Sequence, residues 1–147
     1  MLKNLLFAFF SILTLALLGV FAYRDVAAEW KTYQATYYEK LARVVNDPKI
    51  AKTPLQVNQV WSEGLRRTDR CTTCHLGVGN PAFENEPQPY KTHSNLTGYM
   101  SKHPFEKVGC TICHEGDGQA VTVEQTHGTV HHLDRQMQSA PYVQASC

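Results

Sequence analysis

The stretch from Leu65 to Cys147 has very little from which to build an apolar core. It holds eleven Leu, Ile or Val and two Phe in 83 residues, about 16%, below the ~20% under which a chain is too poor in apolar surface to fold alone. Such a segment cannot offset its conformational entropy by burying side chains. The strong net charge that often accompanies disorder is also missing, because seven Lys or Arg there face eight Asp or Glu. Something other than apolar side chains is therefore expected to supply the core. The whole chain carries a net charge of +1, and without a basic excess nothing points to nucleic acid. No nucleophile–base pair or substrate motif stands out. The 147 residues leave room for one domain plus appendages.

What the chain does have is cysteine at a telling spacing. Four of the five cysteines form Cys71-Thr72-Thr73-Cys74-His75 and Cys110-Thr111-Ile112-Cys113-His114. C-x-x-C-H is the attachment signature of c-type haem. Two thiols add across the two vinyl groups of one porphyrin, and a two-residue gap lets one turn of backbone bring both sulfurs to the ring edge. The adjacent His75 or His114 then lies under the iron as proximal ligand. The sequences C-T-T-C-H-L-G and C-T-I-C-H-E-G form a short internal repeat, and the glycine after each motif fits a helix ending under the haem. Two alternatives are weaker. A zinc ribbon would join the Cys pairs over about 15–20 residues, and it has no need of a His after both. Thioredoxin-like redox pairs want a βαβ context, which this Gly-, Pro- and polar-rich region does not offer.

The fifth cysteine, Cys147, is the last residue in the sequence. It reads either as an unpaired terminal thiol or as the opening of a third CxxCH. The second reading is favoured because Cys147 follows Cys110 by 37 residues, close to the 39 between Cys71 and Cys110. At least two haems c are expected, with a third if that reading holds.

Five histidines exceed the proximal need: His93, His103, His127, His131 and His132. Each is a candidate distal ligand, and a His/His iron has a lower potential than a His/Met one. The only methionines are Met1, Met100 and Met137, and the internal two read as packing residues. His93 follows His75 by 18 residues and His132 follows His114 by 18, a hint of symmetry that leaves open which His serves which haem.

Leu5 to Tyr23 is nineteen residues without a formal charge. As a helix it spans about 28 Å, close to the ~30 Å hydrocarbon thickness. A cleaved signal peptide is the competing reading. Val26-Ala27-Ala28 would serve as its cleavage site, but Arg24 and Asp25 intervene and the apolar block is long for such a peptide. The expectation is a retained single-pass anchor over residues 1–24, a helical stalk and connector over 25–64, and a haem domain over 65–147. In the stalk, Trp30, Tyr33, Tyr37, Leu41 and Val44 recur at helical steps. Trp30 and Tyr33 fit a membrane interface. The stripe reads equally as a face packed on the haem domain or as a docking face for a partner subunit. Asn46-Asp47-Pro48 predicts the helix end, and residues 53–64 read as extended or turn.

The run Asp69-Arg70-Cys71-Thr72-Thr73-Cys74-His75-Leu76-Gly77-Val78 and the run from His103 to Gly116 resemble bacterial membrane-anchored multihaem cytochromes c, as do Thr126-His127-Gly128 and the 144–147 end. The resemblance implies association with respiratory complexes, and it implies that the final Ser146-Cys147 opens a further CxxCH. The expected fold is mainly α with extensive loops, a transmembrane helix followed by a domain whose core the haems form. The expected function is one-electron transfer on the outer (periplasmic) face of a membrane, with the N-terminus inside because c-type haem is attached outside the cytoplasm. The expected partners are the bilayer, integral membrane electron-transfer subunits and other cytochromes. The rival is a haem enzyme with one five-coordinate iron reducing a small substrate.

Overall fold

The computed structural model describes the whole chain except residues 129, 132–135, 139–140 and 144–147. His132 and Cys147 therefore lie outside the described residues. The described residues are 57% helical, yet only two helices among them exceed four residues. The described chain after them forms a two-stranded hairpin and short helical turns.

Helix α1 (Leu2–Val26) is the apolar block. No residue on it is buried, and Phe7, Leu15 and Phe21 all face outward. A helix apolar on every side has no polar face to offer water, and this one is long and apolar enough to cross a membrane. Ala27 and Ala28 separate it from α2 (Glu29–Val45). Asn46 closes α2 in the left-handed conformation at φ 58°, with Pro48 two residues on. An Asn takes that conformation at lower cost than most residues, and the proline cannot continue the helix.

The amphipathic face of α2 packs on the chain's own C-terminal region. Trp30, Gln34, Tyr37 and Ala42 are buried. Tyr37 lies against Phe83, with ring centres 5.0 Å apart. Lys40 pairs with Glu86 at 2.6 Å. The docking-face reading of the stripe is thus corrected for Trp30 and Tyr37, which are already covered, and Trp30 is not a free interfacial anchor. Val44, at the far end, is exposed.

The connector yields a feature absent from the expectation of an extended or turn segment. Strand β1 (Val60–Ser62) pairs antiparallel with β2 (Arg67–Asp69), Val60 opposite Asp69. The tight turn between them runs through Arg66 at φ 50°. Four short helices follow: α3 (Tyr99–Lys102), α4 (Phe105–Val108), α5 (Thr111–His114) and α6 (Val123–Thr126). Among the described residues the buried apolar side chains are Trp30, Tyr37, Ala42 and Phe83. Only Phe83 belongs to the region after Leu65, so the shortage of apolar residues in the sequence is also a shortage in the packed interior.

Candidate haem-binding site

Both motifs wind in the same way. Cys71–Thr73 forms a 3₁₀ turn and Thr111–His114 is helix α5. In each, the histidine N–H donates to the carbonyl of the first cysteine at 3.0 Å: His75 to Cys71 and His114 to Cys110. The glycines behave differently from the expectation. Gly77 lies inside a 3₁₀ turn and caps no helix. Its role is close approach, since a Cβ there would fall 1.8 Å from the Tyr90 carbonyl oxygen. After α5 the left-handed cap is Glu115 at φ 58°, with Gly116 following at φ 83°.

The two residues between the first pair of cysteines are gripped by the stalk. Thr73 is fully buried. Its hydroxyl donates to the Asn58 carbonyl and accepts from the Asn58 N–H, each at 3.0 Å, while the Asn58 amide donates to the Thr72 carbonyl at 3.1 Å. The Gln34 amide of α2, also fully buried, donates to the Thr73 and Gln56 carbonyls at 3.0 and 2.5 Å and accepts from the Gln56 N–H at 3.0 Å. Gln34 went unnoticed in the sequence because it stands among the aromatics of the stripe.

Each proximal histidine faces a second histidine. The ring centres of His75 and His127 are 6.2 Å apart, and those of His114 and His93 are 6.1 Å apart. A metal–imidazole bond is about 2.0–2.1 Å and the ring centre lies about 1 Å further on, so two imidazoles on opposite sides of one metal put their centres about 6 Å apart. Either distance alone also suits an ordinary edge-to-face ring contact, which spans about 4.5–7 Å. Both pairs contain one CxxCH histidine and one histidine from outside the motifs. The pairing crosses the internal repeat: the first motif takes its partner from beyond the second, and the second takes its partner from between the motifs.

The flanking chain fixes each ring. His127 sits at the end of α6, its N–H donating to the Val123 carbonyl at 3.0 Å. The His93 N–H donates to the Val78 carbonyl at 2.9 Å, and its ring Nδ1 lies 2.5 Å from the Ser94 carbonyl oxygen. A carbonyl only accepts, so Nδ1 carries a proton, and in the neutral ring Nε2 is then the nitrogen that can act as a ligand. Burial lowers the pKa of His75, and the neighbouring His127 lowers it further. His114 is lowered in the same way, by burial and then by His93. Neutral imidazole is the form that binds a metal.

The remaining candidates do not join these pairs. His103 and His131 are exposed, and His132 lies outside the described residues, as does Cys147. Cys71, Cys74, Cys110 and Cys113 are half-buried and not in disulfides. Burial pushes the Cys74 thiol up to about 11. The Cys71 thiol is raised by its hydrogen bond with Cys110 first and by burial second. Asp69, Cys71 and Cys110 bring their ligand atoms within 4.8 Å of one another. Cys74 and Cys113 are not part of that cluster, so the four thiols do not converge as a four-cysteine zinc site requires.

Asp69 is the second residue the sequence reading passed over. Its signal was an Asp two positions before a turn, a common local cap. No protein-family model, curated protein or solved structure matches this chain.

Proposed function

We propose that the chain carries electrons one at a time through two covalently bound c-type haems, each held between two histidines. Cys71, Cys74 and His75 would hold the first, with His127 as distal ligand. Cys110, Cys113 and His114 would hold the second, with His93 opposite. The observation that carries this reading is the pair of facing imidazoles, 6.2 and 6.1 Å apart, each rooted in a CxxCH motif. The near-absence of buried apolar side chains after Leu65 supports it as well, because two porphyrins would supply the missing core.

Bound haem supplies reversible one-electron iron chemistry. The chain's own residues do the rest. Four cysteines would tether the rings, His75, His127, His114 and His93 would hold the irons, and the Ser94 carbonyl orients the His93 imidazole. With a second histidine facing each motif histidine, the chain's own residues would leave no open position for a substrate, which favours a carrier over a haem enzyme. The exposed apolar helix α1 fits a membrane anchor. The chemistry of haem attachment then places the domain on the outer face, as a membrane-anchored multihaem cytochrome c working beside integral electron-transfer subunits and other cytochromes of a respiratory or photosynthetic complex. A visible spectrum of the reduced protein, with haem staining on a denaturing gel, tests this. Sharp c-type bands and a stained polypeptide are expected, and a colourless, unstained chain would overturn the reading.

A further inference from the structure

The two motifs are not merely near each other, because one side chain ties them together. Asp69 is 3% exposed and sits at the end of β2, where Val60 of β1 pairs with it. Its Oδ1 accepts from the Cys71 N–H at 3.1 Å. Its Oδ2 accepts from the Cys110 and Thr111 N–H groups at 2.7 and 2.8 Å. A single buried carboxylate thus holds the opening backbone of both CxxCH turns. Bonds from N–H to an ionised acceptor are roughly twice as strong as neutral ones, and this acceptor has three.

The surrounding chain is shaped for that contact. Gly109, just before the second motif, lies at φ 77°, and a Cβ there would fall 2.7 Å from the Asp69 Cβ and 2.8 Å from its Oδ2. Only glycine combines that backbone conformation with so close a carboxylate. A second tie runs alongside, since the Arg70 N–H donates to the Gly118 carbonyl at 2.8 Å and its guanidinium to the Gln119 carbonyl at 2.6 Å. The consequence falls on the first cysteine of each motif. Cys71 and Cys110 meet, sulfur beside sulfur, within the 4.8 Å cluster that includes the Asp69 carboxylate.

We propose that Asp69 is a positioning residue that holds the two haems as one electronically coupled pair, their porphyrin edges meeting where the Cys71 and Cys110 sulfurs adjoin. This rests on the two-haem reading. Each of those sulfurs would be joined to its porphyrin through a single carbon, so sulfurs within 4.8 Å of each other would hold the two ring edges close together. Electron exchange between haems falls steeply with edge separation, and so does the coupling of their optical transitions. A carboxylate that sets the sulfur-to-sulfur contact therefore sets both.

The test is Soret-region circular dichroism of the full-length protein carrying both haems, with intact mass recorded for every sample. Wild type should show a bisignate couplet, the signature of two coupled porphyrins. Asp69→Ala and Asp69→Asn should keep two haems by mass and a low-spin absorption spectrum, yet lose at least half of the couplet amplitude. Gly109→Ala, which displaces the carboxylate without removing it, should also weaken the couplet. A full couplet in the Asp69 variants would overturn the proposal, and so would a wild-type spectrum without one. The wild-type couplet decides by itself if no variant matures. A chain without haem by mass would instead defeat the functional reading beneath it.

Discussion

At the scale of single residues, the facing imidazoles make a sharp division among the six described histidines. His127→Ala and His93→Ala should each leave one iron five-coordinate. Absorption spectra should then show about half of the haem turning high-spin and binding carbon monoxide, with the other half unchanged. His103→Ala and His131→Ala should leave the spectrum as it was, because both side chains are exposed and neither faces His75 or His114. The same high-spin change in a His103 variant, with none in a His93 variant, would mean that the pairs are assigned wrongly. The motif cysteines and histidines stood out in the sequence because their spacing along the chain is itself a signature. The histidines that face them could be named only as part of a pool of five. Which ring meets which depends on the path of a chain that returns to His75 from beyond the second motif, and local spacing carries no trace of that. Equal 18-residue intervals suggested symmetry, while the fold pairs across the repeat.

At the scale of elements, α2 is a bracket rather than a spacer. Gln34 makes three hydrogen bonds, a buried one to the Thr73 carbonyl and two part-buried ones to the Gln56 backbone. Gln34→Ala would leave the buried Thr73 carbonyl unpaired, at a cost of about 1–3 kcal/mol, and remove the two bonds that tie the connector to α2. The expected result is a loss of about 2 kcal/mol or more in denaturant unfolding followed in the Soret band, with the haem count unchanged. An unaltered midpoint would show that α2 does not brace the first motif. The helical repeat of the stripe and the Asn46-Asp47-Pro48 stop were readable from sequence, since both follow from local periodicity and backbone preference. The hairpin Val60–Asp69 was not. Its strands are three residues each, too short to display an alternating pattern, and its pairing is what delivers Asp69 to both motifs.

At the scale of the whole molecule, an apolar helix with no buried residue is joined to a region with almost no buried apolar side chains. On the proposed reading, lipid would cover the one and porphyrin would fill the other. Replacing residues 1–26 with a cleavable export signal should release a haem-carrying domain into the soluble periplasmic fraction. Its persistence in the membrane after that change would place the attachment elsewhere. The apolar span and the missing core were both visible in composition alone, since they concern amounts of residue types rather than their arrangement. The claim on which the rest depends is covalent haem at both motifs. The most direct measurement is the intact mass of the full chain made in cells that can attach c-type haem. The account predicts at least two haems added to the polypeptide. An unmodified polypeptide, or one carrying zinc in their place, would contradict it.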